Sequence, residues 1–361
     1  MRGVIGSKCR STDMRHRAKT KLWAAVALSG MLSFAPSAIA QQAMDASPAV
    51  GVEKATGTTT GNNQSKPDSA PAVPAMDNAT ITAEHVAALI ARARGNHAKG
   101  DYDKAREDSS EAIRLDPQNA EAFEVRGDAW VGAKRFENGI DDYDAAIRLK
   151  PDIARLFARR AVAFGLMRQF RLAVRDYTEA VRLEHSTAML SDRAGAFKKV
   201  RRYDLAIDDQ SEAIRLDPNS AELYDNRGQT YARNNAYDRA IADYNEAIRL
   251  KPTASFYLNR GTSYQLKGDL DLALADYDKA IALDDKLALA YNNRGVALHE
   301  KGDRRRALTD FTTATRLDPE LEVAAAHLKA LALEIERMGA QMPLKRPAKT
   351  ACAAGVKDCT K

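Results

Sequence analysis

The sequence predicts an all-α solenoid of seven helix hairpins, and two observations predict it: a recurring hexapeptide, and a helical periodicity between its copies. The string Ala-Ile-Arg-Leu-x-Pro recurs with small variations at a nearly constant interval, beginning at Ala112, Ala146, Ala180, Ala213, Ala247, Ala280 and Ala314. A constant period of this size is typical of arrays whose units bury their apolar faces only against their neighbours. The pattern therefore favours an extended interaction surface over a catalytic pocket.

Residues 220–252 illustrate why each repeat is a helix hairpin. Leu223 and Tyr231 belong to a set of residues that recur at spacings of three and four, which is one face of an amphipathic helix. Asn234 and its neighbour interrupt that helix, and a second apolar stripe follows. Pro252 ends the second helix, because proline cannot donate the helical hydrogen bond and restricts the residue before it.

Small residues mark the contact between the two helices of a hairpin. They recur at the same separation in every repeat, and in four repeats the first-helix member is a glycine, namely Gly127, Gly228, Gly261 and Gly295. Glycine inside a helix costs about 0.5–1 kcal/mol relative to alanine. We therefore expect the two backbones to approach closely there, with the recurring aromatic side chains filling the core beside them.

These features together resemble the tetratricopeptide repeat (TPR) family, over about residues 85–319. The pattern divides into seven repeats, approximately 86–119, 120–153, 154–186, 187–220, 221–253, 254–287 and 288–319, within an array at 81–319. An apolar stripe at 320–340 indicates a capping helix. The resemblance implies a right-handed superhelix whose first helices line a concave face for peptides or partner helices.

The two ends of the chain are expected to lie outside this fold. Residues 1–40 have a basic stretch, a short apolar run and Ala38-Ile39-Ala40, which predicts a signal peptide cleaved after Ala40. The apolar run is too short to span a bilayer, although retention as an anchor stays open. Residues 41–80, rich in Ala, Pro, Thr and Ser, predict a disordered linker, and residues 341–361 a basic flexible tail. Cys352 and Cys359 in that tail could form a disulfide or stay reduced.

Removal of the signal peptide changes the charge of the chain. The whole sequence has 55 Lys and Arg against 49 Asp and Glu, but the first forty residues hold seven of the former and one of the latter. The remainder carries equal numbers of each, so the apparent basicity that would suggest a nucleic-acid partner belongs to the targeting segment. We therefore expect no nucleic-acid partner, and no stable membrane span after cleavage.

One charged pairing recurs in six repeats. An arginine precedes the small residue of each first helix, and an aspartate follows at the same separation each time, on the second helix. We predict a structural ion pair within each hairpin: Arg126 with Asp142, Arg160 with Asp176, Arg193 with Asp209, Arg227 with Asp243, Arg260 with Asp276, and Arg294 with Asp310.

The concave lining that the resemblance implies supplies the candidate partner-binding residues: Arg155, Arg159, Asp192, Lys198, Lys199, Asn226, Gln229, Asn259, Asn292 and Asn293. Asn226, Asn259 and Asn293 repeat at one place, so an asparagine ladder could grip a peptide backbone; the alternative is ordinary polar surface. Arg155 and Arg159 also match the last two basic positions of the family's carboxylate clamp. Its other three positions are Ile90, Arg94 and Val125, so the full clamp is absent.

No catalytic, cofactor-binding or metal-binding motif is present, and the histidines are scattered without ligand spacing. We expect no enzymatic activity and no cofactor. The resemblance implies a scaffold or adaptor that binds an envelope or secreted protein, in the bacterial periplasm or outside the cell. The alternative is an assembly or export factor for an envelope polymer or a secretion complex.

Overall fold

The computed structural model describes residues 78–341, and within that range it contains fifteen α-helices and no strand. The predicted signal peptide, most of the predicted linker, residues 342–361 and both tail cysteines lie outside the described residues. The fold is an all-α repeat solenoid, in which the chain alternates between the first and second helices of successive hairpins.

The helices occur in seven pairs followed by one single helix. In chain order they are α1 (Asn78–Ala98), α2 (Tyr102–Leu115), α3 (Ala120–Gly132), α4 (Phe136–Leu149), α5 (Ala154–Leu166), α6 (Phe170–Leu183), α7 (Thr187–Lys199), α8 (Tyr203–Leu216), α9 (Ala221–Arg233), α10 (Tyr237–Leu250), α11 (Ala254–Lys267), α12 (Leu270–Leu283), α13 (Ala288–Glu300), α14 (Arg304–Leu317) and α15 (Glu322–Gln341). From the second repeat on, each first helix begins at the residue where the sequence division places the start of that repeat.

The first helix begins earlier than the predicted array boundary at residue 81. It starts at Asn78, inside the stretch assigned to the linker, because no proline or glycine lies between Pro74 and Gly95 to stop it.

The described helices fall into two compact units, divided between Lys251 and Pro252. The first unit contains α1–α10 and the second contains α11–α15. The division falls at one of the two places where the repeat is shortened by a single residue. In each unit, the two helices of a hairpin pack on one another and on the next hairpin along the chain.

An aromatic ring explains the glycines of the first helices. A Cβ atom on Gly228 would lie 2.8 Å from the ring of Tyr244, and one on Gly295 would lie 2.7 Å from the ring of Phe311. Gly127 and Gly261 meet Tyr143 and Tyr277 in the same way. In all four repeats the first contact of an added Cβ atom would therefore be an aromatic side chain of the second helix. A Cβ on Gly127 would also crowd a backbone atom of the second helix, the carbonyl oxygen of Gly139 at 3.2 Å.

The last helix, α15, closes the second unit. Ala324, His327 and Leu331 are its buried residues, and Leu331 packs in a cluster with Phe311 and Val296 of the last hairpin. Its other apolar residues are partly exposed, which suits a helix with one face on the array and one in water. No helix among residues 78–341 combines the length and apolar character needed to cross a membrane.

Candidate partner-binding surface

The six predicted Arg–Asp pairs are all present as bidentate hydrogen bonds inside their hairpins. Arg227, for example, donates from Nε to Asp243 Oδ2 at 2.8 Å and from Nη2 to Oδ1 at 2.7 Å. Equivalent bonds join Arg126 to Asp142, Arg160 to Asp176, Arg193 to Asp209, Arg260 to Asp276, and Arg294 to Asp310. The aspartates are buried, so the pairs belong to the fold and not to a partner site.

A seventh pair, Arg92 with Asp108, is present in the first repeat and was not predicted. Arg92 Nε and Nη2 donate to the two Asp108 carboxylate oxygens at 2.9 and 2.6 Å. The signal was available, because the two residues are separated along the chain by the same interval as the pairs of the other repeats.

Several of these arginines also bond to the preceding hairpin. Arg227 Nη1 donates to Ser211 Oγ at 3.0 Å, and Arg294 Nη1 donates to Asp278 Oδ1 at 2.7 Å. Arg126 bonds to Ser110 and Arg160 to Asp144 in the same way. One guanidinium group therefore joins three helices of two neighbouring repeats. The sequence pattern predicted only the bond within one repeat.

Two predicted binding residues, Arg155 and Arg159, are already paired with acidic side chains of α3. Arg155 Nε lies 2.9 Å from Glu124 Oε1, and Arg159 Nη1 lies 2.8 Å from Asp128 Oδ1. Tyr143 donates its hydroxyl to the same Asp128 oxygen at 2.8 Å. Burial opposes the charge of Arg159, but Asp128 and Glu124 hold its pKa above the ordinary value. These residues form an internal ion cluster that joins repeats 2 and 3.

The basic residues at the carboxylate-clamp positions are already paired within the chain. The two arginines that match the clamp are neutralised by the chain's own Glu124 and Asp128, and Arg94 pairs with Glu121 at 2.7 Å. A free carboxylate would have to displace these contacts.

Asp192 and Lys198 of α7 are different, because neither has a hydrogen-bond or ion-pair partner within residues 82–339. Both residues are half-buried. Burial raises the pKa of Asp192 to about 6. Burial, together with Arg233 and Lys199, lowers the pKa of Lys198 to about 8, and Asp225 opposes that shift. Perturbed groups without a partner of this kind are typical of functional surfaces.

Asp192 occupies the position that Asn226, Asn259 and Asn293 occupy in later repeats. We expect Asp192→Asn to raise the free energy of unfolding at pH 7 by about 1–2 kcal/mol, because the half-buried carboxylate is charged there without a counter-charge. As pH falls, the folded chain takes up a proton at Asp192 near pH 6, and the unfolded chain does so only near pH 3.8. The difference in the free energy of unfolding between Asp192→Asn and the parent should therefore vanish near pH 4. Urea unfolding at both pH values measures it. The exposed Asp208→Asn is the control, and equal stability of Asp192→Asn and the parent at pH 7 would contradict the argument.

The asparagine positions are not equivalent in their surroundings. Asn226, in the first unit, is half-buried and its side chain has no hydrogen-bond partner among the described residues, while Gln229 beside it donates to Asp225 at 2.8 Å. Asn259 is half-buried in the second unit. Lys199, the remaining candidate, is exposed at the end of α7, with its Nζ 5.9 Å from the centre of the Phe170 ring.

Asn292 and Asn293 are fully buried, so their predicted place on an accessible surface is wrong. Asn292 donates to Asn293 Oδ1 at 3.0 Å, and Asn293 donates to Thr262 Oγ1 at 3.3 Å. His327 Nδ1 of α15 lies 2.8 Å from Asn292 Oδ1. The two amides are used inside the second unit because α15 packs on α13, and the asparagine ladder loses its third member.

Family models agree with the hairpin geometry and the repeat length. Four models described as tetratricopeptide repeat or TPR repeat match residues 76–152, 221–254, 261–302 and 288–321. The chain is a tetratricopeptide repeat protein. Repeats of this family are protein-interaction modules, and the TPR fold of this chain supports an interaction scaffold. Comparison with curated proteins finds no match.

Solved structures resemble this TPR protein in fold. A TPR protein from Parabacteroides merdae is 20% identical with a TM-score of 0.54, and the alignment covers 69% of this chain and 99% of that one. The C-terminal part of a TPR repeat-containing protein from Cytophaga hutchinsonii is 19% identical with a TM-score of 0.54, covering 66% and 99%. At these identities the likeness shows the fold alone.

The described part of the TPR protein offers no metal-binding cluster: no three or more His, Cys, Asp or Glu side chains of residues 82–339 stand together in a suitable group. Apart from Arg155 and Arg159, which pair with acids of α3, the candidate residues of the first unit that are at least partly exposed lie on α7 and α9. They are Asp192, Lys198, Lys199, Asn226 and Gln229.

Proposed function

We propose that this TPR protein is a non-enzymatic scaffold that binds a peptide or helix of another protein on the first helices α7 and α9. The observation that carries the proposal is the pair Asp192 and Lys198, which the fold leaves half-buried and without a hydrogen-bond or ion-pair partner in the described chain. Such groups cost stability, and a bound partner that supplies counter-charges and hydrogen bonds would recover it.

The neighbouring polar groups fit a peptide backbone. Asn226 can donate and accept hydrogen bonds, and Gln229 keeps acceptor capacity after its bond to Asp225. The charges of Asp225 and Arg233 on α9 both act on the pKa of Lys198 on α7. The two helices therefore contribute to one electrostatic environment. Repeats 4 and 5 therefore offer both charged and amide groups to one ligand.

Photo-cross-linking tests the position of this surface. With p-benzoylphenylalanine placed at Asn226, we expect one discrete cross-linked partner in cells, and that species should disappear when Asp192→Ala and Lys198→Ala are combined. The same amino acid placed at the exposed Arg148 of the second helix α4 is the matched control. Cross-linking at both positions alike, or at neither, would refute the proposal.

We propose further that the scaffold acts in the bacterial cell envelope, after cleavage of the first forty residues. The basic stretch, the short apolar run and Ala38-Ile39-Ala40 support this location. Cell fractionation with N-terminal sequencing is the test, and the expected mature N-terminus is Gln41. A different N-terminus, or a cytoplasmic protein with an intact leader, would contradict it.

A further inference from the structure

The turns that join the two helices of each hairpin use two different chemistries. In repeats 1, 6 and 7 the turn contains Gly-Asp, at Gly100-Asp101, Gly268-Asp269 and Gly302-Asp303. In repeats 2, 3 and 4 the same two positions hold Lys134-Arg135, Arg168-Gln169 and Arg201-Arg202. We call Lys134, Arg168 and Arg201 the basic turns.

The backbone makes these basic residues costly. The φ angle is 60° at Lys134, Arg168 and Arg201, in the left-handed region that the glycines occupy at 80–101°. Glycine adopts this region freely, whereas a residue with a Cβ atom is strained there. Repeats 2, 3 and 4 therefore have backbone strain at a turn position where repeats 1, 6 and 7 have an unstrained glycine.

The second position of the turn gives up a further stabilising contact. Asp101 and Asp303 cap their second helices by accepting a hydrogen bond from the backbone N–H three residues later. Arg135, Gln169 and Arg202 stand at the same place without a side-chain cap bond, as does Asp269 of repeat 6. The simplest physical reason for the absence of both the glycine and the cap is that the basic side chains bind a ligand.

The basic turns are exposed, and none of the three has an acidic partner within residues 82–339. Arg168 adjoins another cation, because the pKa of Lys199 is lowered by burial and by the charges of Arg233 and Arg168. A cleft of about 410 Å³ opens beside Arg168, lined by Arg168, Phe170, Arg171 and Val200 among others. Lys199 of repeat 4 therefore lies near cations of repeats 3 and 5, and an open cleft adjoins Arg168.

We propose that the basic turns bind an acidic segment, rich in Asp and Glu, of the partner protein. The inference rests on the proposed scaffold function and names the chemistry of the ligand. Guanidinium groups pair with carboxylates through two parallel hydrogen bonds, and Arg168 and Arg201 have theirs free for this purpose. We commit to a protein ligand because the proposed scaffold function supplies one, and single-stranded DNA of equal charge serves as the competing ligand in the test.

The test uses glycine, because glycine should improve the fold while it removes the charge. In the triple variant Lys134→Gly, Arg168→Gly and Arg201→Gly, we expect a higher Tm and roughly tenfold weaker binding of a fluorescent Asp/Ser peptide, since three exposed ion pairs are lost. Fluorescence anisotropy with the full chain measures binding, and thermal unfolding measures stability. A loss of binding together with a gain in stability cannot come from misfolding.

Two controls separate the turns from net charge and from backbone effects. Arg148→Gln, Lys150→Gln and Arg316→Gln remove the same charge from exposed sites elsewhere and should leave binding unchanged, and Asn235→Gly relaxes the equivalent turn without removing charge. Equal binding by the parent and the triple glycine variant would overturn the proposal, as would tighter binding of single-stranded DNA of equal charge. If cross-linking at Asn226 persists while the peptide effect is absent, the scaffold function stands and only the acidic ligand is refuted.

Discussion

Arg227→Ala is expected to lower the free energy of unfolding by about 3 kcal/mol, because it leaves a buried carboxylate without its counter-charge. Asp243 is only 8% exposed and receives two hydrogen bonds from Arg227, which itself is 19% exposed. The substitution also removes the hydrogen bond that Arg227 donates to Ser211 in the preceding hairpin. Asp243→Ala should lower the free energy of unfolding by a similar amount, because it leaves the guanidinium group of Arg227 without its carboxylate partner.

The double variant decides whether the two residues act as a unit. We expect Arg227→Ala with Asp243→Ala to be little worse than either change alone, which gives a coupling free energy of about 2 kcal/mol in chemical unfolding. The exposed pair Arg249–Glu246, at 65% and 44% exposure, is the matched control and should couple by less than about 0.5 kcal/mol. Additive effects for Arg227 and Asp243 would show that the ion pair does not stabilise the hairpin.

Acidification from pH 6.5 to pH 4 is expected to lower the stability of the second unit by up to about 3 kcal/mol through His327 alone. Burial, with the neighbouring His299, lowers the pKa of His327 from 6.5 to about 4. The unfolded chain therefore binds a proton in this pH range before the folded chain does. The stability contributed by the neutral imidazole is complete above pH 6.5 and is lost as pH falls toward 4.

The groups around His327 explain why protonation is unfavourable there. The ring packs 5.2 Å from the ring of Phe311, and Nδ1 lies 2.8 Å from the Asn292 amide oxygen. His299 contacts Glu334 at 2.9 Å, and Arg304 binds the same carboxylate, so that acid is already engaged. A proton on His327 would place its charge in an apolar site and near that of a protonated His299, which would repel it.

The His327→Gln variant isolates this effect. It cannot titrate, so its stability should fall less than that of the parent between pH 6.5 and pH 4 when both are followed by urea unfolding. His185→Gln, which changes a half-exposed histidine beside Glu212, should leave the parent's pH dependence nearly intact. Parallel pH profiles for the parent and His327→Gln would show that His327 is not buried in its neutral form.

The repeat architecture could be predicted from the sequence because each hairpin repeats the same short-range chemistry seven times. The constant separation along the chain predicted the Arg227–Asp243 pair and its equivalents, since two helices of fixed length and one tight turn bring those positions together. Which aromatic ring lies over each glycine was not predicted. It depends on the rotamer of a residue in the second helix, about which spacing alone says nothing.

The candidate site was predicted less well, because burial depends on neighbours beyond one repeat. Asn293 stands at the same place in the repeat pattern as Asn226, but α15 covers the end of the array and makes Asn292 and Asn293 core residues. Arg155 and Arg159 matched a family ligand position, yet acids one repeat earlier neutralise them. The basic turns carried a visible signal, namely Lys and Arg where other repeats have glycine, although no prediction made use of it.

The bonds that arginines make to the preceding hairpin have a consequence for how the first unit opens transiently. They join repeats 1 to 2, 2 to 3, and 4 to 5, but Arg193 makes no such bond to repeat 3 within the described chain. In a linear array, opening is governed by the weakest nearest-neighbour junction. Because the seam between repeats 3 and 4 lacks this guanidinium bond and keeps the exposed His185–Glu212 contact, we expect transient opening of the first unit to begin there. Because Arg168 and Arg201 stand on its two sides, a ligand that bridges them would hold the seam closed.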